Sequence, residues 1–129
     1  MITSNSIYDM LTRIKNGILA KKLFVFIPNI KLNLKILNII YKENFIKHYT
    51  LTNNNEIKVF LKYNNNNISF IKSLKFFPLQ KNSTFLSISK LWKFDLLDKL
   101  IILSTSKGFL TGKMSIKKKI GGKLICIIE

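Results

Sequence analysis

The sequence predicts an α+β fold of two small lobes. The N-terminal lobe has the order α-β-α-β-β, and the C-terminal lobe is mostly antiparallel β with short helices. Three observations lead there. Apolar residues recur at helical spacing in two early segments. Later runs are short, apolar or alternating, and bounded by Pro, Gly or Asn. A polar stretch, Asn64-Asn65-Asn66-Asn67, separates residues 1–67 from 68–129, although the same residues also fit a hairpin tip. With 47% hydrophobic and 12% aromatic side chains, a chain of 129 residues has enough apolar material for a core.

Asn5 or Ser6 is expected to cap the first helix, with Asp9 in its first turn set against the helix dipole. Ile7, Met10, Leu11, Ile14 and Ile18 form one apolar stripe. Thr12, Arg13, Lys15 and Asn16 lie off it, either as a solvated face or as a contact surface. Residues 23–27 are an unbroken apolar run ended by Pro28, the pattern of a strand and a turn. Asn29 is placed as the cap of a second helix with a buried stripe of Leu32, Ile36, Ile39 and Ile40, and Asn44 suits a left-handed position at its end. Residues 45–51 and 57–63 form a hairpin about Asn53-Asn54-Asn55, with Ile57, Val59 and Leu61 alternating against Lys58, Phe60 and Lys62. In the second lobe, strands are expected at 68–76 and 84–88, separated by Pro78 and a polar turn. A short helical or irregular piece with Trp92, Phe94, Leu96 and Leu97 follows, then a strand at 100–103, a lysine-rich turn or helix at 112–119, and a last strand at 124–128.

Charge narrows the function. Twenty-two Lys and Arg stand against six acids, a net +16. Such self-repulsion opposes compaction, so an anionic partner, RNA or DNA first, explains it better than a solubility surface does. Arg13 is the only arginine; lysine, a flexible point charge, favours phosphate contacts over reading of base edges. The single Cys126 excludes an internal disulfide and the usual cysteine zinc sites. Lys90, Lys93, Asp95, Asp98 and Lys99 break up the longest apolar candidate for a membrane span. Neither a signal-peptide core nor an Arg-rich leader precedes the first amphipathic helix, and the Lys, Ile and Asn excess reads as AT-rich coding. The expectation is a protein made in the organelle where it works.

The chemistry concentrates in one stretch. Residues 101–103 run as a strand into Ser104-Thr105-Ser106-Lys107-Gly108, and Gly121-Gly122-Lys123 follows. Three hydroxyls at a turn offer donors and acceptors suited to 2′-hydroxyls and base edges, and the lysine suits phosphate. Between Asp98 and Glu129 there is no carboxylate, while Lys117, Lys118 and Lys119 join Lys107 and Lys123 there. Ser104 and Lys107 also match S-x-x-K, but that chemistry needs a helix, which Gly108 disfavours, and its partner motifs S-D-N and K-T-G are absent. The stretch from Gly108 to Lys113 is one residue short of a phosphate-binding loop, with Met114 in place of the magnesium-binding hydroxyl. His48 lacks ligand-spaced companions and reads as an ordinary surface or half-buried side chain. Cys126 reads as apolar core, Asp95 and Asp98 as a solvated edge, and the phenylalanines mostly as core. No catalytic or metal site is expected.

Three segments together carry a resemblance: Asp9-Met10-Leu11-Thr12-Arg13-Ile14-Lys15-Asn16, the run from Leu103 to Thr111, and Gly121-Gly122-Lys123-Leu124-Ile125-Cys126. In order and spacing they resemble the small-subunit ribosomal protein S-eight family, with Phe45-Ile46 and Leu61-Lys62-Tyr63 in support. The resemblance implies a two-lobed RNA-binding scaffold without enzymatic activity, cofactor, membrane association or small-molecule substrate; the alternative is a free-standing RNA- or DNA-binding regulator. The scaffold's implied partners are small-subunit ribosomal RNA, bound at a hairpin of the central domain, and neighbouring ribosomal proteins. Ser104, Thr105, Ser106, Lys107 and Gly108 would be the main contact, Gly121 and Gly122 would admit the RNA backbone, and Thr12, Arg13, Lys15 and Asn16 would be a secondary contact. Lys123 departs from the family's frequent glutamate, and the strand at 84–88 lacks a tyrosine pattern, with Phe85 filling part of that space. The helix before the last strand, with Gly112, Met114 and Ser115, is less acidic than in relatives. These departures look organellar: a mitochondrial ribosome first, with a plastid or a bacterial cytoplasm as alternatives.

Overall fold

The computed structural model describes residues 2–77, 84–93 and 98–129. The chain divides into two compact units, Met1–Lys72 and Ser73–Glu129. The described elements are helices and antiparallel sheets, as an α+β chain requires.

In the first unit α1 (Ile2–Leu19) buries Ile7, Met10, Leu11 and Ile14 of the stripe that its spacing dictates, while Ile18, the last member expected, is half-buried near the helix end. It starts earlier than expected. No glycine or proline ahead of Asn5 stops it, so Asn5 and Ser6 lie inside the helix and do not cap it, and no acid stands in its first turn. β1 (Phe24–Pro28), α2 (Lys31–Lys42), β2 (Ile46–Leu51) and β3 (Glu56–Leu61) follow, with sheet order β1-β3-β2, all antiparallel. Ile57, Val59 and Leu61 point inward, and Asn44 and Asn55 take the left-handed conformation at φ 65° and 59°. Two expectations for α2 need correcting. Its cap position is Ile30, without a side-chain bond, so Asn29 stands one residue too early. Its buried face is Asn33, Ile36, Leu37 and Ile40, which leaves Leu32 and Ile39 half-buried. Asn33 takes a core position with its Nδ2 donating to the Pro28 carbonyl at 3.1 Å, while its buried Oδ1 has no partner among the described residues.

The second unit contains β4 (Leu74–Phe76), β5 (Phe85–Leu86), α3 (Ile88–Leu91), β6 (Leu100–Thr105), β7 (Gly108–Thr111), α4 (Gly112–Lys118) and β8 (Gly122–Ile128). β8 pairs with β6 on one side and with β4 and β5 on the other. That interior position explains its consecutive buried Leu124, Ile125 and Cys126. Leu86, Leu91, Ile101, Leu103 and Leu124 form a core cluster, with Phe77, Ile116 and Ile127 packed against it.

The expected strand at 68–76 contracts to β4. The Asn64 side chain accepts from the Asn66 and Ile68 amides at 2.8 and 2.9 Å and Tyr63 bridges Ser69, so that backbone is already engaged. The expected strand at 84–88 is β5 alone, because Ile88 opens α3. Pro78 with its polar turn, and Phe94, Asp95, Leu96 and Leu97, lie outside the described residues. The assignment of phenylalanines to the core also needs correction: Phe24, Phe26, Phe70 and Phe85 are 37%, 41%, 42% and 58% exposed. An apolar residue on a two-layer sheet is buried only if it points at the helices, and alternate residues of 23–27 point away.

Cys126 is a fully buried free thiol, and burial pushes its pKa up from 9.0 to about 12. Below about pH 9 both folded and unfolded chains hold this proton. Above it only the unfolded chain ionises, so this stabilising difference is lost as pH rises towards about 12. Relative to a Cys126→Ala chain, stability in urea is expected to fall by about 2 kcal/mol between roughly pH 8 and pH 10.5. Parallel pH curves for the two chains would contradict that.

Candidate nucleic-acid interface

The hydroxyl run is not all turn. Ser104 and Thr105 end β6, the turn is Ser106-Lys107, and Gly108 opens β7 opposite Thr105. Gly108 adopts φ 97° with open space around it, so conformation is what requires glycine there. Thr105 locks the hairpin: its hydroxyl donates to the Gly108 carbonyl at 2.7 Å and accepts from the Lys107 amide at 3.1 Å. One of the three hydroxyls is therefore spent inside the protein. Ser104 is half-buried and Ser106 exposed, and neither side chain has a hydrogen-bond partner among the described residues.

Strand register sets the neighbours. Phe85 pairs with Lys123, Lys123 with Ser104, and Ser104 with Phe109, so these four side chains form one row across β5, β8, β6 and β7. Lys123 and Phe85 are exposed in that row. Gly121 and Gly122 have reasons inside the protein. A Cβ on Gly122 would stand 2.7 Å from both the Ser104 carbonyl oxygen and Thr105 Cγ2, and one on Gly121 2.6 Å from the Leu86 carbonyl oxygen. Glycine lets β8 slide between β5 and β6 and hold the hairpin base in place. Gly122 itself is buried.

Thr111 caps α4, accepting from the Met114 amide at 3.2 Å, and Lys119 ends it at φ 57°. Ser115 is fully buried and Ile116 packs on the core, which turns Lys113, Lys117, Lys118 and Lys119 outward. In the first unit Thr12 is half-buried, while Lys15 and Asn16 are exposed. Arg13 is exposed but committed: its Nη1 donates to the Phe26 carbonyl at 2.9 Å and its Nε lies 3.3 Å from Asp9. Arg13 and Asn16 border an open hollow of about 710 Å³ beside Gly17, Lys22 and β1. Sequence periodicity placed Arg13 on the surface but gave no sign of its tie to β1.

Ser104 and Lys107 occupy a strand end and a turn, not one helical turn, so the S-x-x-K arrangement is not formed. Among the described residues no group of three or more His, Cys, Asp or Glu stands together, and no described helix is long and apolar enough to cross a membrane.

The chain matches the family model described as Ribosomal protein S8 over residues 5–128. It is 32% identical over 131 residues to small ribosomal subunit protein uS8 of Chlamydia pneumoniae, with 98% of each chain covered. It is 34% identical over 140 residues to the protein of that name in Buchnera aphidicola, with 100% of each covered. It is also 35% identical over 142 residues to uS8c of Pleurastrum terricola, covering 98% of this chain and 99% of that one. The class this defines is that of structural proteins of the small ribosomal subunit, which serve translation and are not an enzyme family. Within it, the chain belongs to the ribosomal protein S8 family.

Proposed function

We propose that this chain binds small-subunit ribosomal RNA, at a hairpin of its central domain, and supports the folding and assembly of that domain beside neighbouring ribosomal proteins. The observation that carries this is the locked β6–β7 hairpin, which presents Ser104, Ser106 and Lys107 beside Lys123 with no competing internal partner among the described residues. The β-rich second unit, Ser73–Glu129, makes the main contact. The Ser104 and Ser106 hydroxyls meet 2′-hydroxyls and base edges, and Lys107 and Lys123 meet phosphate. Gly121 and Gly122 act by holding the hairpin base against the RNA. Thr12, Lys15 and Asn16 make the secondary contact from the other lobe, with Arg13 held in line by Asp9 and Phe26.

Lys117, Lys118 and Lys119 neutralise phosphates without reading sequence. Replacing any one by glutamine is expected to weaken binding to every RNA tested and to lower the salt slope by roughly one unit per lost contact. An unchanged slope would assign those lysines to solvent or to a protein neighbour.

The site of action we propose is a mitochondrial ribosome. The reading rests on composition, since the relatives above are bacterial and plastid-type proteins. Co-sedimentation of the tagged protein with mitochondrial small subunits in high salt is the expected result; recovery with plastid or bacterial subunits would replace it.

A further inference from the structure

The first unit carries a surface that the hairpin account does not use. Helices α1 and α2 cover one face of the β1-β3-β2 sheet, where Val25, Ile27, Ile57, Val59 and Leu61 are buried. The opposite face bears rings. Phe24, Phe60 and His48 form one cross-strand row, and Phe26, Lys58 and Thr50 the next. His48 stacks on Phe60 with centroids 4.2 Å apart and planes at 25°, and Phe26 meets the edge of Phe24 at 5.5 Å. The cations are interleaved with the rings: Lys58 Nζ lies 4.1 Å from the Phe24 centroid and 5.1 Å from that of Phe60, and Lys62 Nζ lies 4.5 Å from that of Phe70. Glu56, at the far end of β3, is the single acid on these three strands.

A sheet face that only meets water carries polar residues at such positions. An apolar protein partner would strip water from Lys58 and Lys62 without pairing them, which is costly. Unpaired nucleotides satisfy both halves of the pattern, because bases stack on rings while the phosphates that follow them pair with the lysines. The chain's net +16 favours the same partner.

We propose that the exposed face of the β1-β3-β2 sheet is a further RNA site, distinct from both the hairpin and the α1 contact, a stacking platform for a single-stranded segment, built from Phe24, Phe26, Phe60 and His48 with Lys58 and Lys62 as phosphate partners. It is separate in chemistry from the hydroxyl hairpin: rings take bases, and no backbone shape is read.

The test uses the full chain, a labelled oligoadenylate of about twelve nucleotides, and an abasic strand of equal length as the charge control. Wild type is expected to bind oligoadenylate at least about tenfold more tightly than the abasic strand. Photocrosslinks should fall in residues 24–28, 46–51 and 56–62. Phe24→Leu, Phe26→Leu and Phe60→Leu together keep the apolar area but are expected to abolish that discrimination. Ser106→Ala should leave it intact, so failure here and failure of the hairpin reading are distinguishable. Equal affinity of wild type for both strands, the outcome expected if a neighbouring protein covers this face, overturns the proposal without any variant, whether or not the triple variant folds. So do crosslinks confined to the second unit, or discrimination retained in a folded triple variant, either of which puts the stacked bases elsewhere.

Discussion

Gly122→Ala is expected to destabilise the protein by about 3 kcal/mol and to lower RNA binding with it. The clash is with backbone: the added methyl would stand 2.7 Å from the Ser104 carbonyl oxygen, in a strand pair that buries Leu103 and Leu124. A flexible side chain would rotate away, but a carbonyl in a sheet ladder moves only if the ladder does. Relief requires β8 to draw back from β6 where Lys123 pairs with Ser104, so stability and site geometry should fail together. Urea denaturation measures the first and RNA titration the second. A change below about 0.5 kcal/mol would show that the strands have slack there.

Thr105→Val is expected to do the opposite, leaving the fold nearly intact while damaging the site. Valine keeps the branched shape but loses both bonds of the Thr105 hydroxyl, the 2.7 Å one to the Gly108 carbonyl and the 3.1 Å one from the Lys107 amide. Both are exposed, so the loss of stability is about 1 kcal/mol. The turn then samples more conformations, and binding has to restore the one that fits, a cost of about tenfold in affinity. Unaltered affinity would show that the hairpin is held by other means.

Much of the fold was legible because its strongest signals are local. The stripe from Ile7 to Ile14, the alternation from Ile57 to Leu61, and Asn44 each follow from spacing or from one residue's backbone preference. What was not legible depended on partners distant in sequence. Asn33 reads as a surface amide until Pro28 supplies its acceptor. Phe24 and Phe26 read as core until the sheet is known to have helices on one face only. Strand β7 has no local signature, because Gly108-Phe109-Leu110-Thr111 owes its pairing to a turn locked by Thr105. In the candidate site the residue types were readable, but their division of labour was not. A hydroxyl that clasps its own turn looks the same in sequence as one that faces a ligand.

The most direct measurement is the affinity of Ser106→Ala for the proposed target, the central-domain rRNA hairpin, beside its affinity for generic duplex RNA. Ser106 is exposed at the hairpin tip and has no hydrogen-bond partner among the described residues, so alanine should leave the fold unchanged. The expected result is a loss of about tenfold on the rRNA hairpin with little change on the duplex. Equal losses on both, or none on either, would contradict the assignment of this hairpin as the RNA-reading element.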